Sequence, residues 1–299
     1  MPWTEVCIRV PRDETEAAEQ ALEALGALAI TLEDDADEPL LEPGPGETPL
    51  WTAVHVRGLF EAGAPRDRII GGLQQLPAAR RPDTIAFRDV GDRDWTRAWM
   101  DRFRPMRFGR RLWIVPGGMA GPKDDDAVVI RLDPGLAFGT GTHPTTALCL
   151  DWLDGWDAGG RGVVDYGCGS GILGIAAALL GARAVVCVDN DPQALEATAA
   201  NARRNGVEKR IRVVGPEAYA ASGQDLVLAN ILAGPLITLA PRLIESVRPG
   251  GRIVLSGLLV EQVEAVAAAY RADCGEAAVG EREGWARLEL VRRPADRPR

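Results

Sequence analysis

The sequence predicts a two-part α/β protein. Its C-terminal part reads as a mostly parallel, doubly wound sheet with helices on both faces, and its N-terminal part as a small α+β sandwich. Three observations carry this. From Arg161 onward, short apolar strand runs alternate with amphipathic helical runs. A glycine-rich turn, "DYGCGSG" (Asp165–Gly171), stands where the first of those strands gives way to a helix. The first ninety residues follow a different order, β-α-β-β-α-β.

The N-terminal elements come first. "WTEVCIRV" (Trp3–Val10) alternates like a half-buried strand. "DETEAAEQALEALGA" (Asp13–Ala27) reads as a helix, with Asp13 as its N-cap, acids in its first turn and Gly26 as its stop. "LAITLED" (Leu28–Asp34) is a second strand, and the turn-rich "EPGPGETP" (Glu42–Pro49) leads to a third, "LWTAVHVRGLF" (Leu50–Phe60). "PRDRIIGGLQQL" (Pro65–Leu76) is a weaker helix with two glycines, and "TIAFRDV" (Thr84–Val90) a fourth strand. That order is ferredoxin-like, and it assigns a domain to residues 1–91. Residues 92–116 read as a linker, in which "WTRAWMDRF" places Trp95, Trp99 and Arg102 near one helical face as anchors on a neighbouring domain.

The second domain spans residues 117–299. "AVVIRLDPGLAF" enters it, and "PTTALCLDWLDGW" (Pro144–Trp156) is its leading helix. "GVVDYG", "AVVCVDND", "IRVVG", "DLVLANIL" and "GRIVLSGLL" read as strands, and "WARLELVRR" as the last one. Between them, "GILGIAAALLGA", "PQALEATAANARRNGV", "GPLITLAPRLIESV" and "VEQVEAVAAAY" read as helices. Continuous apolar strands interleaved with helices call for a parallel sheet covered on both faces, a Rossmann-like arrangement.

Composition narrows the function. With 299 residues, 46% of them hydrophobic, each part can bury a core. The sequence has no run of about 18 apolar residues and no basic, apolar leader, so a cytoplasmic protein without membrane contact is expected. Cys7, Cys149, Cys168, Cys187 and Cys274 are scattered without a C-x-x-C pair, and only two histidines accompany them. Neither a disulfide framework nor a metal site is expected. Charge is uneven: residues 1–50 carry 13 acidic and 2 basic side chains, the remainder 30 and 32. An acidic segment repels a phosphate backbone and attracts a basic protein, so nucleic acid is not expected as the primary partner. No apolar stripe stands out, which favours a monomer.

The glycine turn carries the chemistry. In "VVDYGCGSGILG" (Val163–Gly174) a buried strand ends, the chain bends through Gly167, Gly169 and Gly171, and a helix begins. Such a bend presents backbone N–H groups and lets a ligand lie against the main chain. Two ligand classes compete. Gly169, Gly171 and Gly174 spell G-x-G-x-x-G, with Asp189 twenty positions beyond Gly169, which is the dinucleotide fingerprint of a nicotinamide-dependent oxidoreductase. Against it, the Asp165 carboxylate ahead of the glycines disfavours a diphosphate and suits a cation. S-adenosyl-L-methionine (AdoMet) brings an ammonium and a sulfonium. Asp189, at the next strand end, would take ribose hydroxyls from either ligand. Asn230, ending a third strand before Gly234–Pro235, opens on the same crevice.

"FGTGTHPTT" (Phe138–Thr146) precedes the leading helix. Thr142 reads as its cap, with Pro144 in the first turn. Phe138 is either a core residue or an aromatic face beside the ligand. His143 is a structural residue in one reading and a general base in another, and Cys168 has no paired base in sequence view.

"DYGCGSG", "VDNDPQAL", "NARRNGV" and "ANILAGPL" resemble the class I AdoMet-dependent methyltransferases. With "LDPGLAFGTGTHPTTALCL" ahead of them, the stretch from about Arg131 to Leu259 closely resembles one family, the bacterial methyltransferases of large-subunit ribosomal protein eleven. The resemblance implies cofactor contacts from Thr145, Gly167, Asp189 and Asn230, with Asn230 also aiming the incoming amine. It implies a substrate-recognition role for the N-terminal domain, and repeated methylation of lysine side chains and the N-terminal amine of a basic ribosomal protein. One departure stands out. Many amide- and base-nitrogen methyltransferases carry Asn-Pro-Pro-aromatic where this chain has Asn230-Ile231-Leu232-Ala233. A clamp for a planar nitrogen is therefore not expected, which suits a flexible amine. A catalytically silent ribosome-binding module is the third class, alongside the oxidoreductase.

Overall fold

The computed structural model describes residues 3–35, 51–80, 84–90, 104–132, 143–221 and 223–294. They fall in two compact units, divided between Trp99 and Met100. Trp95, Trp99, Arg102, Phe138, Thr142 and residues 36–38 of the acidic run 33–38 lie outside the described residues.

The N-terminal unit runs β1 (Trp3–Pro11), α1 (Thr15–Ala24), β2 (Ala29–Asp34), β3 (Ala53–Glu61), α2 (Arg66–Leu73) and β4 (Ile85–Val90). Its antiparallel sheet has the order β2-β3-β1-β4, the ferredoxin-like arrangement. Alternation places Val6, Ile8 and Val10 of β1 and Val54, Val56 and Phe60 of β3 on one face. There they pack with Leu22 of α1 and Ile69 and Leu73 of α2. The two glycines that weakened α2 have a packing reason at Gly72, where a Cβ would lie 2.7 Å from the Leu25 side chain. Gly26 stops α1 as expected, with φ +99°. Asp13 does not cap it. A 3-10 turn over Arg12–Glu14 intervenes, and Glu14 takes the N-cap position. The Glu14 carboxylate instead accepts the Ala78 N–H at 3.0 Å.

The C-terminal unit contains β5 (Met106–Phe108), β6 (Leu112–Val115), β7 (Val128–Arg131), α3 (Pro144–Gly155), β8 (Gly162–Tyr166), α4 (Ile172–Leu179), β9 (Ala184–Val188) and α5 (Pro192–Arg204). It continues with β10 (Ile211–Val214), β11 (Gln224–Asn230), α6 (Ala233–Thr238), α7 (Ala240–Ser246), β12 (Val247–Leu259), α8 (Val263–Tyr270), β13 (Cys274–Arg282) and β14 (Trp285–Arg292). Seven strands form one sheet in the order β10-β9-β8-β11-β12-β14-β13. The first five are parallel, and β14 and β13 close the edge antiparallel. Neighbouring strand residues serve opposite layers. Val163 and Leu226 pack toward α3, α4 and α5, whereas Val164 and Val227 pack toward α6, α7 and α8. Strands apolar at every position follow directly. From β8 the sheet is extended by β9 and β10 on one side and by β11 and β12 on the other. Chain order therefore reverses between β8 and β11, which opens a crevice at the carboxyl ends of these strands.

Three elements differ from expectation. "GPLITLAPRLIESV" is two helices, because Pro241 supplies no N–H to continue the first one. β13 carries Gly275 and Gly280, which broke its strand signal. The last part of the expected linker, residues 104–116, holds β5 and β6, which form a three-stranded sheet with β7. The β5–β6 turn is fastened to α3 by Asp154, which is only 3% exposed. Its Oδ2 accepts the N–H groups of Arg110 at 2.6 Å and Arg111 at 3.3 Å, and its Oδ1 accepts Arg111 Nε at 3.3 Å.

Replacing Asp154 with Ala strands those donors at a buried site. The expected loss is about 2–3 kcal/mol of unfolding free energy, read as a lower urea midpoint at unchanged slope.

Candidate active site

The glycine turn joins β8 to α4 through three left-handed residues, Gly167 (φ +75°), Gly169 (φ +54°) and Gly171 (φ +79°). Only glycine adopts this succession without strain. The turn is fastened from two sides. On the β9 side, the N–H groups of Gly167 and Cys168 both donate to the Val188 carbonyl, at 2.8 and 3.0 Å. The Gly169 N–H donates to Asp189 Oδ2 at 2.8 Å, and Asp189 Oδ1 accepts the Asp191 N–H at 3.0 Å. On the α5 side, Thr198 Oγ1 donates to the Gly169 carbonyl at 2.9 Å, and Asn201 Nδ2 to the Ser170 carbonyl at 2.9 Å. Asp189 thus bridges the ends of two adjacent strands and stays half-buried at the crevice.

Asn230 ends β11 across the switch point. Its Nδ2 donates to Thr146 Oγ1 at 3.2 Å, which ties it to the first turn of α3 and orients the amide. The backbone after it is tightly held. A Cβ on Gly167 would lie 2.2 Å from Ile231 Cγ2, and one on Gly257 (φ +86°) would lie 2.4 Å from the Ile231 carbonyl oxygen. Thr146 and Gly257 were not singled out from the sequence. A lone glycine inside the strand run "VLSGLL" was the available signal for Gly257.

Asp165 is placed differently from expectation. It is 1% exposed and lies beneath the turn, where its Oδ2 accepts the Gly174 N–H at 2.8 Å. Its side chain shares the Val163 face of β8, toward α4, so it underlies the crevice without lining it. Burial pushes its pKa up to about 7; the Gly174 hydrogen bond lowers it, and the nearby Asp189 charge raises it further.

The first turn of α3 also departs from expectation. His143 is the N-cap, its Nδ1 facing the Thr145 N–H at 3.4 Å and the Thr145 hydroxyl at 2.8 Å. The Thr145 hydroxyl is therefore engaged at the cap, and it is Thr146 that reaches Asn230. The His143 ring meets Trp285 edge-on, with centroids 4.7 Å apart. Burial lowers its pKa, and Glu283 offsets this in part, so the imidazole is neutral at pH 7. In the tautomer in which Nδ1 accepts the Thr145 N–H at the cap, Nε2 carries the proton and the one free lone pair of the ring is engaged. Cys168 is buried with its sulfur 3.4 Å from Thr198 Oγ1, a packed thiol and not a nucleophile.

Over residues 2–293 the sequence matches the family described as ribosomal protein L11 methyltransferase (PrmA). The chain belongs to this family. Ribosomal protein L11 methyltransferases of Pseudomonas aeruginosa (strain LESB58) and Pseudomonas putida (strain GB-1) are each 51% identical to it. Both matches run over 294 residues, 98% of this chain, and cover 99% and 100% of those proteins. A crystal structure of ribosomal protein L11 methylase from Lactobacillus delbrueckii subsp. bulgaricus is 32% identical. It superposes with a TM-score of 0.59 over 64% of this chain and all of that one.

The crevice residues fit the AdoMet chemistry of a methyltransferase. Asp165 and Asp189 are close enough for the charge of one to shift the other. The Asp189 carboxylate at the crevice, with Asp165 buried beneath it, opposes a diphosphate and favours a cation.

Two outcomes follow. Between pH about 4 and 7 the folded state holds a proton on Asp165 that the unfolded chain releases. Stability from this group is complete below about pH 4 and lost as pH rises through about 7. Asp165→Asn, which keeps an acceptor for the Gly174 N–H, should flatten that slope, seen as urea midpoints that diverge from the unsubstituted protein toward about pH 8. His143→Asn preserves a cap acceptor and should keep kcat within about threefold, whereas His143→Ala should lower stability by about 1 kcal/mol. A loss of kcat of about 100-fold in His143→Asn would instead mark a base.

Proposed function

We propose that this chain transfers methyl groups from AdoMet to amines of ribosomal protein L11, at lysine side chains and the N-terminus. The observation that carries this reading is the meeting of the glycine turn, Asp189 and Asn230 at one switch point, on a chain of this family. Gly167 and its neighbours bring main chain against the cofactor, and Asp189, whose oxygens each keep a second lone pair, accepts ribose hydroxyls. Thr145 contributes through the first turn of α3, at the methionine end. AdoMet, when bound, supplies an electrophilic methyl on a sulfonium.

The chain's own task is to bring a neutral amine in line and hold it there. Because Asn230 Nδ2 donates to Thr146, its Oδ1 is the atom left to accept an N–H from the amine and aim the nitrogen lone pair. A free lysine has a pKa of about 10.4, and withdrawal from water in the crevice lowers it toward the neutral form. Positive charge moves from sulfur to nitrogen without net change, so positioning supplies most of the rate. Ile231 and Leu232 after Asn230 leave the amine side open to a flexible chain.

The N-terminal domain, residues 1–91, serves as the recognition domain for this basic protein, consistent with the acidic excess in residues 1–50. The enzyme acts in the cytoplasm, as a monomer, with nucleic acid not its primary partner. Among the described residues no helix is long and apolar enough to cross a membrane.

Calorimetry with AdoMet and NAD in parallel, followed by mass spectrometry of L11 incubated with enzyme, tests the reading. AdoMet should bind and NAD should not, and L11 should gain mass in steps of one methylene. Asn230→Ala should lower kcat/KM by about 100-fold or more. Binding of NAD alone would move the protein to the oxidoreductases, and AdoMet binding without methylation would leave a silent module.

A further inference from the structure

Helix α5 carries three polar side chains at the spacing i, i+3, i+7, namely Thr198, Asn201 and Asn205, the last just beyond the final helical residue. This spacing puts them on one stripe of the helix. Thr198 is fully buried. As described above, Thr198 and Asn201 donate to the carbonyls of Gly169 and Ser170 in the glycine turn. Asn205, one turn further on, faces a different segment. Its Oδ1 accepts the Arg131 N–H at 2.7 Å, and its Nδ2 donates to the Arg131 carbonyl at 2.9 Å. The same Nδ2 also donates to the Asn201 carbonyl at 2.8 Å, which fixes the amide against its own helix.

A side-chain amide that bonds both the N–H and the C=O of one residue reproduces a rung of a β-ladder. β7 is paired with β6 along its whole length, with Arg131 opposite Val115. On its other side, Asn205 supplies the rung that no strand provides among the described residues. Arg131 is also the last strand residue before residues 133–142, the stretch that leads into His143 and Thr145. One face of α5 therefore holds the glycine turn at one end and the last residue of β7 at the other.

We infer that Asn205, with Asn201, is a positioning residue for cofactor binding, which fixes the end of β7 and the glycine turn in one frame through α5. It touches neither cofactor nor substrate. Its amide sets the spacing between two backbone segments from different sheets, the end of β7 in the three-stranded sheet and the glycine turn after β8 in the seven-stranded one. The inference rests on the AdoMet reading above, and the functional consequence is a cost in cofactor affinity, with the methyl-transfer step itself intact. Hydrogen bonds between a side-chain amide and the main chain are orientation-specific, because one end can only accept and the other only donate. A carboxylate in place of the amide keeps the acceptor for the Arg131 N–H and sets a second oxygen against the Arg131 carbonyl, so Asn205→Asp opposes the frame with almost no change in volume.

The test uses the full chain and two readouts. In Asn205→Asp, the AdoMet Kd by calorimetry should rise at least about tenfold, with kcat at saturating AdoMet within about threefold. Without ligand, amide exchange of the peptide covering residues 128–132 should accelerate in the same variant. Asn201→Ala, which removes only the Ser170 bond, is the second variant and should also weaken AdoMet. In the double variant the loss should fall short of the product of the two, because both belong to one frame. An AdoMet Kd within twofold of the unsubstituted protein in both single variants would overturn the inference, as would a fall in kcat at unchanged Kd. Should the unsubstituted chain bind no AdoMet, the functional reading falls. The exchange arm would still decide the tie, since unchanged exchange at 128–132 in Asn205→Asp refutes it.

Discussion

Ile231 is held between two glycines, and the geometry of the crevice depends on that contact. On one side its Cγ2 occupies the space that a Cβ at Gly167 would need; on the other its carbonyl stands where a Cβ at Gly257 would be. The ends of β8, β11 and β12 can approach this closely only because two residues have no side chain and both adopt positive φ. Were either an alanine, the Ile231 backbone or the glycine turn would shift by tenths of an ångström or more, and Asn230 would shift with it. The amide of Asn230 is then pinned from the far side by Thr146. Close contacts around Ile231 and one side-chain bond thus fix the direction of the Asn230 amide.

Beneath this frame lies an electrostatic burden. Asp165 is withdrawn from water, and the one bond from Gly174 does not compensate for its desolvation, so its pKa rises to about 7. A chain selected for stability alone would place an amide or an apolar residue there. Here the Asp189 carboxylate, tied to the Gly169 N–H, adds a second negative charge nearby. A positive ligand in the crevice favours the ionised form of Asp165, so part of the cost of burying this acid is converted into differential affinity for a cation. Strain held at a site and relieved by its ligand is a common origin of reduced stability at binding crevices.

Much of this was legible in the sequence, and the part that was not has a consistent cause. Gly167, Asp189 and Asn230 could be placed because strand ends in a parallel sheet open on one side, and chain order alone locates the switch point. The ferredoxin-like order was readable because β1 and β3 alternate cleanly. What failed was side-chain direction. Asp165 stands ahead of the glycines in sequence, yet its side chain shares the face of Val163 and points beneath the turn. Thr142 has the composition of a cap, but the side chain in cap geometry is that of His143, whose Nδ1 can accept. β5 and β6 were hidden because three- and four-residue strands leave too little alternation to read, and their stability comes from a distant carboxylate, Asp154. Asn201 and Asn205 stand in the motif "NARRNGV", but nothing local reveals that Asn205 pairs with Arg131, 74 residues away.

The groups that sequence reading offered as reactive are all committed elsewhere. His143 caps a helix with the nitrogen a base would need, Cys168 packs against Thr198, and the Thr145 hydroxyl is bonded at the cap. Among the described residues around the crevice, none is poised to take a proton from the amine. This agrees with a transfer in which charge only migrates between two atoms, because no new charge develops that a base or an oxyanion hole would have to stabilise. The rate then depends on how narrowly the amine is held. On the proposed reading, the close contacts of Gly167 and Gly257 with Ile231 then bear on the rate through the position they give Asn230.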